Sequence, residues 1–210
     1  MGSHEIFLFM NKRLLFASAN AHKLIEVRAL LEPLGYEVQG LHDLQFFDDI
    51  PETGDTLEEN AFLKASYLSE ELGLDCFADD SGLEVDVLDG APGVHSARYA
   101  GEPRNDQRNL EKLLKALEGN EKRTARFRTV ICLMEGGKPF YFNGKVDGHI
   151  VHETRGQGGF GYDPIFVPEG HIHTFAELPA EMKNQISHRA RAVQALVNYL
   201  KQRQSALTGQ

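Results

Sequence analysis

The stretch FADDSGLEVDVLDGAPG, residues 77–93, places two adjacent carboxylates directly after an apolar run. That run, residues 74–78, predicts a buried strand. Asp79 and Asp80 follow it, and because adjacent strand residues point to opposite faces of a sheet, at most one of them can face a given cleft. Residues 79–82 are therefore either a polar turn or a strand end that carries a functional carboxylate.

Helices and strands alternate on both sides of this stretch. In chain order the predicted elements are a strand at residues 13–18, a helix ending at Gly35, a helix from the capping residue Thr56 to Gly73, strands at 74–78 and 83–87, a helix from Asn105 to Gly119, a hairpin of residues 125–134 and 138–146, and a helix from about Ser187. This order predicts an α/β fold with a mixed sheet flanked by helices. Residues 13–210 are predicted to form a single domain, since no repeat or long linker divides them. Residues 1–12 are predicted to be a flexible N-terminus or a remnant of added sequence.

Composition argues against several classes of protein. Hydrophobic residues make up 41% and charged residues 25% of the 210 residues, which is typical of a globular protein. The formal net charge of −9 argues against a nucleic-acid polymer as partner, although a single nucleotide needs only a few local cations. Cys76 and Cys132 form no CxxC motif, and no apolar run approaches the ~18 residues of a membrane span. The sequence thus predicts a soluble protein of the reducing cytoplasm.

The segment SANAHK, residues 18–23, lies where the first predicted strand ends and a helix begins. Free N–H groups at a helix N-terminus favour an anion. Ser18, Asn20 and Lys23 add a hydroxyl, an amide and a cation at the same point. The segment is therefore either a phosphate site or an ordinary helix cap with an exposed lysine.

Carboxylates near Asp80 are candidates for binding a divalent cation. Mg²⁺ in proteins uses one or two carboxylates, while water and substrate phosphates complete its coordination. An acidic run upstream comprises Asp48, Asp49, Glu52, Asp55, Glu58 and Glu59. This run is either solvated surface or the source of a second magnesium ligand. Asn60 and Lys64 share one helix face, which is either functional or simply exposed.

A glycine-rich loop, RGQGGFGYDP at residues 155–164, is a candidate nucleobase pocket. Glycines let backbone approach a ligand, an aromatic ring such as Phe160 or Tyr162 can stack on a base, and Asp163 can accept hydrogen bonds from base nitrogens. The alternative is a flexible connection whose aromatic side chains pack on the core.

The segment KNQISHRARA, residues 183–192, opens the last predicted helix. Lys183, His188 and Arg189 lie near its start. They are either ligand-binding groups or the exposed basic face of an amphipathic helix.

The order of these motifs is more specific than any one of them. SANAHK, then ETG at residues 52–54, ADDSGLEVDVLDGAPGVHSARYAG at 78–101, GGFGYDPIF at 158–166 and KNQISHR at 183–189 together closely resemble the inosine triphosphate pyrophosphatase family. Bacterial members of that family hydrolyse non-standard purine nucleoside triphosphates such as dITP and XTP. The resemblance implies an elongated α/β fold of two lobes with a central substrate cleft, a Mg²⁺ cofactor and a homodimer.

The resemblance also implies roles for individual residues. In chain order these are triphosphate binding by Ser18, Asn20 and Lys23, a metal carboxylate from Glu52, catalysis and metal binding by Asp80, substrate contact by Ser81, a base pocket from Phe160, Gly161, Tyr162 and Asp163, and contacts to the base or phosphates from Lys183, His188 and Arg189. Asp49 is the alternative metal carboxylate, and Glu52 is preferred because it stands in the ETG motif. Ala19 departs from the family pattern, since many relatives carry glycine there.

Overall fold

The computed structural model describes residues 12–46, 50 and 52–208. Residues 1–11 of the predicted N-terminal segment, and Asp48 and Asp49 of the acidic run, lie outside the described residues. None of the helices in the described part of the chain is long and apolar enough to cross a membrane.

The described elements form one mixed sheet with helices packed on it. In chain order they are β1 (Lys12–Phe16), α1 (Ala21–Leu31), β2 (Tyr36–Gly40), α2 (Leu57–Leu72), β3 (Cys76–Val85), β4 (Pro92–Gly93), α3 (Asp106–Ala116), β5 (Thr124–Glu135), β6 (Lys138–Ile150), β7 (Phe166–Pro168), α4 (Ala180–Ile186) and α5 (His188–Thr208). The strand order is β2-β1-β3-β5-β6-β7, and β4 pairs with β3. Strand β1 runs parallel to β2 and β3, whereas the pairs β3–β5, β5–β6 and β6–β7 are antiparallel. The prediction of a mixed sheet flanked by helices is confirmed.

Alternation along β3 divides the core between the two faces of the sheet. Ala78 belongs to an apolar cluster under α2, and Phe77 belongs to a second cluster under α1 and α5. Further along the strand, Leu83 and Val85 enter a third cluster with α3 and Phe127 of β5. The polar residues 79–82 therefore lie between the apolar clusters.

Of the two alternatives for residues 79–82, the polar turn is wrong, because β3 continues without interruption from Cys76 to Val85. Strand β5 pairs with β3 at every one of these positions, so the polar residues have their backbone partners across the sheet. Val87, expected in a second strand, instead lies in a 3₁₀ turn at Asp86–Leu88. Pairing with a distant strand has overridden the local turn preference of the sequence.

The other edge of β3 is interrupted beside these polar residues. Strand β1 pairs with β3 only at Cys76 and Phe77, and β4 pairs with it only at Leu83 and Glu84. Between these points, residues 78–82 face no other strand on that edge among the described residues. The gap opens the sheet from both faces, and the candidate site lies there.

The predicted helix ends are largely confirmed. The side chain of Asn20 caps α1, and Thr56 and Glu59 form the capping box of α2. Strand β2 and helix α4 were not predicted. The last helix, α5, starts at His188, directly after α4. The arrangement in two lobes stays a prediction, as does the assignment of residues 13–210 to a single domain.

Candidate active site

The predicted site residues surround one cavity of about 320 Å³ at the gap in the sheet. Its lining includes Ser18, Asn20, Lys23, Glu52, Asp80, Ser81, Phe160, Gly161, Tyr162, Asp163, Lys183, His188 and Arg189. Lys64, Arg98 and Asp106 line it as well, and the sequence analysis assigned no binding role to them. Residues that are distant in the chain thus meet in a space typical of small-molecule sites.

The loop between β1 and α1 forms one wall of the cavity. Asn20 Oδ1 accepts hydrogen bonds from the backbone N–H groups of His22 at 3.0 Å and Lys23 at 3.2 Å. The backbone N–H of Asn20 in turn lies 3.3 Å from Ser18 Oγ. The helix cap is therefore present, and the capping residues also face the cavity.

Asp79 is the buried anchor of this wall. Its side chain is fully shielded from solvent, with Oδ1 3.0 Å from Lys23 Nζ and Oδ2 3.1 Å from Arg189 Nε. The hydroxyl of Ser81 also donates to Oδ2, at 3.1 Å. Burial alone would raise the pKa of Asp79, but the Lys23 and Arg189 cations outweigh it and hold that pKa well below its usual range. Asp79 therefore joins α1 to α5 as a permanent anion, a role that the sequence did not indicate.

Asp80 lies on the other face of β3, against α2. Lys64 Nζ is 3.0 Å from Asp80 Oδ1 and 2.8 Å from Glu52 Oε1, so one ammonium group bridges two carboxylates. Asn60 Nδ2 lies 3.4 Å from Asp80 Oδ2. Burial disfavours the charged form of Lys64, but Asp80 and Glu52 more than compensate and raise its pKa. The shared face of Asn60 and Lys64 is buried against the site, so the exposed alternative is wrong.

The donor set beside Lys64 fits a hard divalent cation. Glu52 and Asp80 each place one carboxylate oxygen within 3.0 Å of Lys64 Nζ, so two carboxylates lie close together, which matches the one or two protein carboxylates that Mg²⁺ uses. Within residues 12–46, 50 and 52–208, no group of three or more His, Cys, Asp or Glu side chains is arranged to hold a metal. A cation here would take its remaining ligands from water and phosphate. Asp49, the alternative ligand, lies outside the described residues.

The glycine-rich loop forms the opposite wall and is held by Asp163. Asp163 Oδ2 accepts from the backbone N–H of Phe160 at 2.8 Å and from Lys183 Nζ at 2.7 Å. Burial raises the pKa of Asp163, although Lys183 opposes this shift. A Cβ at Gly159 would lie 2.1 Å from Asp163 Oδ2, so this bend requires glycine.

The two aromatic residues of the loop take different positions. Tyr162 is buried in the apolar cluster of α3, and its hydroxyl donates to the carbonyl of Ser96 at 2.9 Å. Phe160 is half-buried and stacks on His22, with ring centroids 5.3 Å apart. Lys183 Nζ lies 4.9 Å from the Phe160 ring centroid. Tyr162 is therefore a core residue, whereas the ring of Phe160 is available at the cavity surface.

The start of α5 is buried, so the exposed basic face considered for this segment is wrong. His188 stacks on Phe127 at 4.6 Å, and its Nδ1 has no hydrogen-bond partner among the described residues. Burial, together with the Arg189 and Lys183 cations, lowers the pKa of His188 well below its usual value. A neutral imidazole thus faces the cavity with one nitrogen free.

Glu26 of α1 joins the buried ion pairs of Lys183 and Arg189, and the sequence analysis did not identify it. It pairs with Lys183 Nζ at 2.7 Å and with Arg189 Nη1. Burial would raise its pKa, but Arg189 and Lys183 overcome this and lower it. Glu26 lies three residues after Lys23, and residues at this spacing share one side of a helix. This spacing is the sequence signal from which Glu26 could have been assigned to the site.

The fold and cavity define an α/β protein whose charged pocket lies at a gap within a mixed sheet. The chain belongs to the Ham1 family, whose family model matches residues 14–199. This confirms the resemblance found in the motifs.

Individual relatives cover nearly the whole chain. A protein of Porphyromonas gingivalis called dITP/XTP pyrophosphatase is 55% identical over 190 residues, which are 90% of this chain and 97% of that one. A Flavobacterium johnsoniae protein with the same name is 53% identical over 188 residues, with the same two coverages. The solved structure of the Staphylococcus aureus Ham1 protein is 41% identical, covers 91% of this chain and 100% of its own, and superimposes with a TM-score of 0.82.

Proposed function

We propose that this protein hydrolyses non-standard purine nucleoside triphosphates, namely ITP, dITP, XTP and dXTP, to the nucleoside monophosphate and pyrophosphate. Such a reaction would cleanse the nucleotide pool. The observation that carries the proposal is one cavity whose lining combines a cluster of ammonium and carboxylate groups with the half-buried ring of Phe160 and the buried imidazole of His188. The names of the relatives point to the same substrates.

The triphosphate would bind at the charged end of the cavity. Lys23 and Lys64 are the cations there, and Ser18 and Asn20 add polar groups at the start of α1. Ser81, whose hydroxyl lies 2.7 Å from that of Thr129, would contact the same chain of phosphates. Together these groups orient the bond between the α- and β-phosphates toward Asp80.

Charge balance supports a cation that arrives with the substrate. The cluster contains five carboxylates, Glu26, Glu52, Asp79, Asp80 and Asp163. The cations paired with them are Lys23, Lys64, Arg98, Lys183 and Arg189. Because the positive groups are already paired, a polyanion needs additional positive charge. Glu52 and Asp80 would hold Mg²⁺, which when bound supplies that charge and acidifies a coordinated water molecule.

Asp80 would act as the general base. It would hold the attacking water by hydrogen bonding and accept its proton as the new P–O bond forms and pyrophosphate leaves. Lys64 keeps Asp80 and Glu52 close together despite their mutual repulsion. The step therefore depends on Lys64 as well as on the two carboxylates.

The other end of the cavity would select the base. Phe160 offers a ring for stacking, and Lys183 and Arg189 are donors that suit the 6-oxo group of hypoxanthine or xanthine. Gly161, Tyr162 and Asp163 would shape this pocket. Adenine carries an amino group in place of the oxygen, which would place a hydrogen-bond donor against these donors and is penalised.

The test is a substrate panel with separate detection of pyrophosphate and orthophosphate. With Mg²⁺, the protein is expected to convert ITP, dITP and XTP much faster than ATP and to release pyrophosphate, and EDTA is expected to stop the reaction. Asp80→Asn is expected to lose turnover, while Asp147→Asn, which alters an exposed ion pair with Lys145, serves as the control.

Three rival functions are separated by the same panel. Binding of ITP without turnover would indicate a non-catalytic nucleotide-binding protein, and a preference for modified pyrimidine nucleotides would indicate another house-cleaning activity. Release of orthophosphate would indicate a phosphatase. A homodimer in the cytoplasm is also proposed from the family resemblance, and light scattering coupled to size-exclusion chromatography tests the oligomeric state.

A further inference from the structure

The segment from the end of β4 to the first turn of α3 contacts the glycine-rich loop directly. Asp106 Oδ2 accepts a hydrogen bond from the backbone N–H of Gly161 at 3.0 Å. Ten residues earlier in the same segment, the carbonyl of Ser96 accepts the hydroxyl of Tyr162. Asp106 also lines the cavity. None of the roles proposed above involves this aspartate.

We propose that Asp106 is a positioning residue for the base end of the cavity, acting through Gly161 to hold Phe160 in place. This inference rests on the proposed function in assuming that Phe160 meets the substrate base. It deepens that function by adding a residue on α3 to the residues that determine base recognition.

The hydrogen bonds of the loop explain why one carboxylate has this effect. The backbone N–H of Phe160 is held by Asp163, and the next N–H, that of Gly161, is held by Asp106. Two consecutive peptide groups are therefore fixed by carboxylates from two different elements. Neither N–H is free to donate to a base, so the loop presents the Phe160 ring, and hydrogen bonds to the base fall to side chains.

Asp106 lies on a part of the chain that is itself held in place by hydrogen bonds. It lies in the first turn of α3, where Asn105 caps the helix by accepting from the backbone N–H of Arg108 at 2.8 Å. Asn109, buried in the next turn, binds the carbonyl of Ala97 at 2.9 Å and the N–H of Ala100 at 2.7 Å. Groups held on rigid elements position a site more accurately than groups on loops.

A different role for Asp106 makes a different prediction. An acidic residue in the first turn stabilises a helix through its dipole, whatever lies beyond. In that case, removing the side chain would loosen α3 and leave the loop unchanged. The two roles therefore differ in where the backbone becomes mobile.

Amide hydrogen exchange on the full-length protein separates these roles. Asp106→Ala is expected to speed exchange in a peptide covering residues 155–163, whereas Asp106→Asn, whose side-chain oxygen can still accept from Gly161, is expected to remain close to wild type. Glu111→Ala on the same helix is the matched control, since Glu111 is exposed and binds only Gln107 in the described structure. Faster exchange confined to α3, or an unchanged loop in Asp106→Ala, would overturn the proposal.

Kinetics with ITP give the second readout. Loss of a hydrogen bond to a charged group corresponds to about a tenfold change in an equilibrium constant. Asp106→Ala is therefore expected to raise KM for ITP about tenfold, while kcat changes less than about twofold. Asp106→Asn is expected to restore most of the wild-type KM. A fall in kcat with KM unchanged contradicts the proposal. If the wild type did not hydrolyse ITP, the proposed function would fail, but hydrogen exchange would still report whether Asp106 holds the loop.

Discussion

The ammonium group of Lys23 lies 3.0 Å from the carboxylate of Asp79, a side chain with no exposure to solvent. The same carboxylate meets Arg189 from α5 on its other oxygen. One buried anion thus fixes two cations that approach from opposite ends of the chain. The cavity wall beside Asp80 depends on this pairing, although Asp79 itself faces the other side of β3.

Replacing Asp79 with asparagine is expected to destabilise the fold strongly. The substitution keeps the shape of the side chain but leaves Lys23 and Arg189 without their shared buried anion, and breaking a buried pair in this way costs about 3–5 kcal/mol. Urea unfolding measures the change in the free energy of unfolding, with Asp147→Asn as an exposed control. An unchanged midpoint in Asp79→Asn would show that the two cations find other partners.

Loss of Lys64 is expected to reduce turnover. In Lys64→Met, Glu52 and Asp80 face each other without the bridging ammonium, and a preorganised charge near the reacting phosphates is lost. Removing one such group typically lowers kcat about 100-fold. Steady-state kinetics with ITP are compared with those of Lys201→Met, which changes an exposed lysine of α5. Equal rates in the two variants would contradict the site as described.

Stability is expected to fall as pH drops below about 6.5, because His188 is held neutral in the folded protein. Its pKa is lowered by burial, so the unfolded chain binds a proton near pH 6.5 while the folded chain does not. A group of this kind removes up to about 1.4 kcal/mol of unfolding free energy per pH unit. Chemical denaturation between pH 7.5 and pH 5 measures the slope, and His188→Gln should flatten it. The exposed His149 provides the control, since His149→Gln should leave the slope intact.

Gly144→Ala is expected to displace the start of α5. A Cβ at this position of β6 would lie 1.9 Å from the carbonyl oxygen of His188 and 2.5 Å from the backbone N of Ala192. Overpacking of this kind costs about 1–3 kcal/mol and would shift His188 and its neighbour Arg189. Thermal unfolding and KM for ITP are both expected to change, whereas Lys145→Ala at the adjacent exposed position should change neither. A variant with wild-type values in both assays would contradict this close approach.

The two cysteines are expected to be unreactive in the folded protein. Burial raises the pKa of Cys76 to about 12 and that of Cys132 to about 12, so almost no thiolate is present at pH 8. A thiol-reactive dye should label both residues only after unfolding in urea. Rapid labelling of the native protein would mean that this part of the sheet opens readily.

Much of the local structure could be predicted, because its causes are local. Thr56 and Glu59 form a capping box from residues three apart, and the hairpin of β5 and β6 follows from two apolar runs joined by Gly136-Gly137. Strand β2 was missed although its apolar and polar residues alternate, since the pattern extends over only five residues. Helix α4 was missed because it spans only seven residues and has no side-chain cap.

The residues named from the motifs come together in the structure, and their individual roles stay predictions. All thirteen residues named from the motifs line the cavity. Glu26 and Lys64 were not assigned roles, because charged residues on helices are usually exposed and only the packing of α1 and α2 shows that these two are buried or half-buried.

The sequence by itself determined the family, the kinds of side chain at the site and the ends of several helices, since motif order and capping depend on residues close together in the chain. Only the tertiary structure decided that β3 continues through Asp79 and Asp80, that one carboxylate faces α5 and the other α2, and which cation pairs with each. The physical reason is that β5, α5 and α2 supply the partners of β3 from distant parts of the chain. Their hydrogen bonds and charges outweigh the turn preference of DDSG, and no local pattern encodes them.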